Sequence, residues 1–515
     1  MSEGVQLGHL YGALSAEDIE NGEGSPVEGT AIISSSSSDD VADGTSSPKA
    51  VVSGTPAGQL GGSGMCGTFL SVAANTVNAL LGVSIFAVPW GFEQAGLLGG
   101  AAIIFLVAPL SYETARVLLV AQRMIYQATG QVKSYPEIAG DVLGKNWAVV
   151  VKSATVISCL GGCVGYLIFL GEVCGQLFNL PLEKAILAAV VPLMLLSWIR
   201  SFRDLAVFTI IGVFAIIVSC GVVIIDGMHA MKSQSPSMQT PPELFSPRSA
   251  PNFLGPATFL YTIHYCVLSL GAETLHQQEA LAGNLPTGFA ATPSALSLQA
   301  STPGQQRKST VNVADVSISR PLALAYGFSS LLIILVGSSG YFTYGSAEFV
   351  TDSEGEPQPG CENHVCQNVV LNLSPGPLRN FAGCALVVAI VLSYVVILAP
   401  AREHIELIVV KYFNVESWAS ANFQGAFVNF IRSSVVLATA LVAVMAPYFG
   451  TVLGAVGGLT DALQSFVLPP LIALKLLHHR GPLTQYFYRG VVVWGLCTIF
   501  YTLLHGVRNI YFALR

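Results

Sequence analysis

Two stretches of this chain place polar or helix-weakening residues where everything around them is apolar. The first is Asn78-Ala79-Leu80-Leu81-Gly82-Val83-Ser84, in a run that closes on Pro89-Trp90. The second is Tyr261-Thr262-Ile263-His264-Tyr265. A helix interrupted at membrane depth frees carbonyls at the end of its first half and amides at the start of its second. The carbonyls suit a cation and the amides suit a carboxylate. The plainer alternative for either stretch is a packing interface of small residues. Interruptions at matching positions of two halves favour a transport site.

Ionisable groups inside apolar spans are the next candidates. His264 is a proton carrier, a gate residue, or a hydrogen-bonded core histidine. Asp461, beside Gly457, Gly458 and Thr460, is a coupling carboxylate, or a group facing a water-filled cavity or paired with Arg432. Ser393-Tyr394 offers a hydroxyl to a sodium site or to a neighbouring helix. Glu113, Arg116 and Lys152 sit where they can snorkel, and Glu172 and Asp226 are expected to face water. Glu403-His404-Ile405-Glu406 reads as a solvated loop rather than a metal site. HExxH, GxSxG and GxxxxGK[ST] are absent, as is any Cys/His metal spacing. The expectation is therefore not an enzyme, with no cofactor and no resident metal.

The elements that must hold these residues follow from composition. Of 515 residues, 52% are hydrophobic and 10% charged, with mean hydropathy +0.62. Those values exclude a soluble enzyme, a nucleic-acid binder and a disordered scaffold. A hydrocarbon core of ~30 Å takes about 20 helical residues. Eleven runs qualify as spans: 67–91, 98–121, 148–176, 184–199, 205–228, 254–276, 321–345, 379–400, 426–446, 449–475 and 488–510. Residues 1–65 hold nine acids and one base, a charge of −8, so that of the net −7 the remaining residues carry +1. Rich in Ser, Gly, Asp and Glu, they cannot bury a core and read as a disordered acidic tail. Residues 66–515 form the lipid-embedded body.

With the tail cytoplasmic, the inside loops carry thirteen Lys and Arg and the outside loops with the C-terminus six, the bias expected of that orientation. Segment 277–320 then reads as a flexible cytoplasmic insertion. Segment 346–378 falls outside, in a lumen or the extracellular space. There a disulfide between Cys361 and Cys366 is chemically allowed, and Asn372-Leu-Ser374 forms a sequon followed by Pro375. The other cysteines singled out, from Cys159 to Cys497, lie in apolar runs and read as small buried hydrophobes. Tyr11-Gly-Ala-Leu14 and Tyr412-Phe-Asn-Val415 both fit a Tyr-x-x-hydrophobe sorting pattern.

Residues 78–96, NALLGVSIFAVPWGFEQAG, resemble the opening helix of the amino acid/auxin permease family. Within it they are most similar to the lysosomal, arginine-sensing branch of the sodium-coupled neutral amino acid transporters. TIHYCVLSL (262–270), SYPEIAG (134–140), Pro400-Ala401-Arg402 and APYFGTVLGAVGGL (446–459) extend the resemblance over nearly all of the chain after Gly67. It implies an all-α polytopic LeuT-like (APC) fold, two inverted five-helix repeats plus an eleventh transmembrane helix. It also implies an amino acid substrate held by the backbone of residues 78–84, with Thr262, His264 and Tyr265 lining the same cavity. The function implied is secondary transport by alternating access, coupled to H⁺ or Na⁺, in a vacuolar or lysosomal membrane. The alternative is an amino acid sensor whose tail engages cytosolic partners. The branch carries a threonine in its eighth helix where Leu392, next to Ser393, stands here, which leaves the coupling ion open. It also carries a long lumenal loop, disulfide-linked to a later one, where 177–183 is short here; Cys361 is then expected to pair with Cys366.

Overall fold

The computed structural model describes residues 65–199, 205–233, 242–272, 315–345, 360–414, 421–477 and 481–513. Residues 1–64, 277–314 and 346–359 lie outside these, and with them fall most of the tail, the pattern at Tyr11, most of the insertion and part of the outer loop.

The described chain is helical throughout. The first span is α1 (Met65–Leu80), a 3₁₀ turn (Val83–Ala87) and α2 (Val88–Ala95). There follow α3 (Leu97–Thr129), α4 (Tyr135–Leu143), α5 (Lys145–Phe178), α6 (Leu182–Ser197) and α7 (Leu205–Ser233). The sixth span consists of α8 (Leu254–Leu260) and α9 (264–272). After it come α10 (Asp315–Tyr344), α11 (Pro377–Tyr412) and α12 (Ala421–Met445). The tenth span is α13 (Phe449–Val456), two wide π turns (Gly457–Asp461 and Leu463–Val467) and α14 (Leu468–Leu476); α15 (Pro482–Ala513) closes the chain.

A helix stands at each of the eleven expected places. Among the described residues nine helices are long and apolar enough to cross a membrane, or ten when the pair bent by 43° between Leu80 and Val83 is taken as one span. At 16 residues α6 is the short one. Two boundaries move: α10 begins at Asp315, inside the expected insertion, and α11 begins at Pro377.

Local chemistry sets several helix ends. Ser134 and Glu137 form a reciprocal capping box at α4, with a proline in its first turn. Gly96, between α2 and α3, has φ +79°, and a Cβ there would stand 2.6 Å from the Phe245 amide. Both facts require glycine.

At about 1.5 Å per residue, α5 is far longer than a bilayer core. It packs on α4, α6, α11, α12 and α13 and forms the central column. Leucines and phenylalanines such as Phe105, Phe214, Leu331 and Phe430 remain exposed on other helices, as a lipid-facing surface requires.

Segment 360–376 folds back over one end of the bundle. Cys361 and Cys366 are joined in a disulfide. The Val365 amide donates to the Glu93 carboxylate at 3.3 and 3.4 Å. Asn368 Nδ2 donates to Glu172 Oε2 at 2.9 Å, and the Ser374 amide donates to Asp226 Oδ2 at 3.2 Å. Glu172 and Asp226 are thus buried fasteners of this cap, not water-facing groups, because the loop needs acceptors for the amides it buries.

The other end shows a second correction. Glu403 to Glu406 lie within α11 rather than a loop. Arg432 donates to Glu406 from Nε at 2.7 Å and from Nη2 at 3.2 Å, and Arg402 Nε lies 3.6 Å from the same carboxylate. Arg432, at 6% exposure, and Arg402, at 2%, are buried. Burying two guanidinium groups demands this carboxylate, so Arg432 is committed to Glu406 and not to Asp461. Among the cysteines, Cys384 and Cys497 are exposed rather than buried.

Candidate functional site

The first break occupies Leu81 and Gly82. The Leu81 amide still donates to Val77 at 2.8 Å, and the Ile85 amide to the Gly82 carbonyl at 3.2 Å. Between them the last carbonyls of α1 and the first amides of the next turn lack intrahelical partners, as at any helix end. Leu80, Leu81, Val83 and Ser84 are buried, Asn78 and Gly82 are half-buried, and Ala79 is exposed. The Tyr166 hydroxyl, from α5, hydrogen-bonds the Val83 backbone. It would lie 3.2 Å from a Cβ at Gly82.

The second break, Tyr261–Ile263, faces the first: α8 packs on the 3₁₀ turn Val83–Ala87. Ser111 of α3 holds it open by donating to the Tyr261 carbonyl at 2.6 Å. Tyr261 donates to Ser330 of α10 at 2.8 Å.

His264, 0% exposed, is clamped between two hydroxyls. Nε2 lies 2.9 Å from Thr114 Oγ1 and Nδ1 2.9 Å from Ser465 Oγ. Thr114 gives its hydrogen to the carbonyls of Leu110 and Ser111. That places the ring proton on Nε2 and makes Ser465 the donor to Nδ1. Thr262 donates to the Thr258 carbonyl at 2.8 Å and lies 3.1 Å from Ser465 Oγ. The ring therefore ties α9 to α3 and to the tenth span.

Tyr265 keeps partial exposure. It lies within electrostatic range of Cys159, Tyr166, Cys266 and Asp461, so it bridges the first break and the tenth span. There, Asp461 accepts from Ser158 of α5 at 2.5 Å. One turn on, Gln464 Oε1 accepts from Thr155 of α5 at 2.8 Å, and the Gln464 carbonyl from Tyr135 of α4 at 2.7 Å.

The structure thus brings together the 78–84 backbone, Thr262, His264, Tyr265 and Asp461. Ser393 instead faces α7, 3.2 Å from a Cβ built on Gly212. Sequence reasoning missed Tyr166, Ser158, Thr155 and Thr114. The available signal was Thr155 and Ser158, spaced by three in an apolar span, as Asp461 and Gln464 are in theirs. Among the described residues no group of His, Cys, Asp and Glu could hold a metal.

An all-helical, multi-pass membrane protein with two facing interrupted spans is the class these features define. The chain belongs to the transmembrane amino acid transporter protein family, whose model matches residues 65–285 and 360–507. It is similar to the amino acid transporter AVT3C of Arabidopsis thaliana, 23% identical over 425 residues covering 78% of this chain and 81% of that one. Amino acid transporter ANT1 of the same plant is 23% identical over 459 residues, covering 85% and 91%. Solute carrier family 38 member 10 of Mus musculus is 19% identical over 433 residues, covering 82% of this chain and 34% of that longer one. Among solved structures, a manganese transporter of Eremococcus coleocola aligns with TM-score 0.37 at 12% identity, over 84% and 95% of the two chains.

Proposed function

We propose that this chain is a secondary active transporter that moves a neutral amino acid by alternating access, driven by an H⁺ or Na⁺ gradient. The observation that carries this is the pair of spans broken at facing points, Leu81–Gly82 and Tyr261–Ile263. The amides at the start of the second half-helix, of which Val83 is held by the Tyr166 hydroxyl, suit the substrate carboxylate, and the carbonyls that end α1 suit its ammonium. Thr262, His264 and Tyr265 form the facing wall. The Asp461 carboxyl is buried against Ser158 of α5, which favours a neutral over a cationic substrate. Asp461 and Ser393 are the ion-coupling candidates, and Asp461 is the one near the breaks.

The helices fit a LeuT-like arrangement of two inverted five-helix repeats plus an eleventh helix, with the breaks in the first member of each repeat. The cap 360–376 covers one end of the bundle while Ala79 is exposed near the break, which suits a state open on the α1 side. A vacuolar or lysosomal membrane is the proposed location. The test is uptake and efflux of a panel of radiolabelled amino acids in proteoliposomes under imposed H⁺ and Na⁺ gradients. Saturable, gradient-driven flux of at least one neutral amino acid is expected; no saturable flux of any of them refutes the proposal.

A further inference from the structure

We propose that Asp461 is the group that takes up and releases the coupled ion, and that this ion is a proton. The proposal rests on the transport reading above and names its driving ion.

Asp461 closes the first wide turn of the tenth span and is 1% exposed. One carboxylate oxygen, Oδ1, accepts from Ser158. The other, Oδ2, is buried with no hydrogen-bond partner. The Thr460 hydroxyl stands beside the carboxyl and also donates to the Val456 carbonyl at 3.0 Å. One turn later Gln464 repeats the pattern: Thr155 takes its Oε1, and its Nε2 is also buried without a partner. Two hydroxyls of α5 thus dock two polar side chains and leave the far atom of each unclaimed. Wide turns of this kind are frequent at functional sites.

The groups facing Asp461 bring no opposite charge. The elements packed on its turn are α5, α8, α13, α15 and the second wide turn. From α5 comes Cys159, and from α9 come Tyr265 and Cys266. The second wide turn, α8 and α13 contain no titratable residue. α15 meets the turn through Thr502 at Gly458, while its Tyr501 donates to Asn252 and its His505 stacks on Tyr501. Arg432 is held by Glu406.

An ionised carboxylate enclosed in this way, with an idle oxygen and no cation, is strongly disfavoured, so something must neutralise it. A metal cation needs several ligands around it, and among the described residues no group of His, Cys, Asp and Glu gathers at Asp461 to supply them. A proton needs one lone pair. Binding converts –COO⁻ and H⁺ to –COOH on one side of the membrane, and release on the other reverses it; no other bond changes. The link to cargo is short. Tyr265 interacts with both Asp461 and Tyr166, and Tyr166 hydrogen-bonds the first break at Val83.

Two measurements on the full chain test this. In proteoliposomes, uptake of labelled alanine, glutamine and leucine is followed with a trapped pH-sensitive dye. Wild type should accumulate substrate under an inward pH gradient, with sodium replaced by choline, and acidify the lumen. In Asp461→Asn, accumulation should fall to the level seen without a gradient, while exchange of labelled for unlabelled substrate survives. Accumulation by Asp461→Asn under the pH gradient, or wild-type accumulation that needs sodium, overturns the proposal. The second measurement needs no substrate. pH-difference infrared spectra of purified protein should show the carbonyl stretch of a protonated carboxylic acid that Asp461→Asn lacks. Its absence from wild type, or its persistence unchanged in the variant, overturns the proton site. If none of the three amino acids is carried, it is the transport reading for these substrates that fails, and the infrared band alone decides Asp461.

Discussion

The contact between Gly82 and Tyr166 gives the sharpest test of where substrate binds. Gly82 has φ −93° and ψ −178°, an extended conformation open to any residue, so replacement there causes no backbone strain. What a side chain meets is the Tyr166 hydroxyl, 3.2 Å from the new Cβ, and Ser84 Oγ at 3.6 Å. In Gly82→Ala the hydroxyl must yield by a few tenths of an ångström, at the expense of its hydrogen bond to the Val83 backbone. Losing one such bond costs about 1 kcal/mol, or about fivefold in rate. In Tyr166→Phe the nearest atom retreats by a bond length, and the alanine should then be accommodated. The double variant should therefore transport about as well as Tyr166→Phe alone, a coupling of about 1 kcal/mol between the two sites. Gly82→Val adds two methyl groups to the same space and should abolish flux in either background. Initial uptake rates of purified, monodisperse variants in proteoliposomes give the four corners of the cycle. If Gly82→Ala loses as much in the Tyr166→Phe background as in wild type, the two residues do not meet as described and the reasoning fails.

Three further outcomes are expected. Glu406→Gln should destabilise the protein by about 3–5 kcal/mol by stranding two buried guanidinium groups, whereas replacing Arg402, Glu406 and Arg432 together by apolar residues of similar size should restore most of the loss; thermal unfolding in detergent reads both. Gly457→Ala would place a Cβ 2.0 Å from the Gly255 carbonyl oxygen and 2.8 Å from the Phe259 amide. Backbone cannot rotate away, so size-exclusion chromatography should show loss of folded protein, while Gly490→Ala, with nothing within 4 Å, should elute as wild type. At α4, partial burial works to raise the Glu137 carboxyl, but the Ser134 bonds and the charges of Lys133 and Lys152 outweigh it and hold the group below its usual range. Its contribution is therefore present above the ordinary carboxylate range and lost as pH falls through the lowered value. Glu137→Gln should flatten the acid side of a stability-against-pH profile and leave neutral pH nearly unchanged in slope.

Apolar periodicity and length were enough to place a helix at each of the eleven expected runs, because bilayer thickness sets a minimum run that composition displays directly; only α6, at 16 residues, falls below that minimum. The interruption at Gly82 was also visible, since a glycine and a serine stand out in an apolar span. Contacts between spans were not. That Arg432 pairs with Glu406 depends on α11 continuing past Pro400 to Tyr412, which a window tuned to bilayer thickness cuts short. That Glu172 and Asp226 hold a loop depends on which end of the bundle 360–376 folds over. Ser158 and Thr155 are small residues in an apolar span, and only the side chains opposite them show what they bind. Ser393 was open between a sodium ligand and an interhelical contact, and only the structure shows that it lies beside Gly212 of α7.

The fastened cap has one consequence for how the chain is made. Asn372, the acceptor of the sequon, uses both ends of its side chain inside the cap: Oδ1 accepts from the Cys366 amide and Nδ2 donates to the His364 carbonyl, each at 2.9 Å. A sugar on Nδ2 would crowd the second of these bonds. Glycan attachment and closure of the Cys361–Cys366 ring therefore compete for the same few residues during synthesis. If the ring closes first, the sequon is silent; if the glycan arrives first, the cap forms without its His364 clasp. Where the cap faces a glycosylating compartment, the fraction of chains carrying a glycan should rise in Cys361→Ser, making the sugar a clock for disulfide formation.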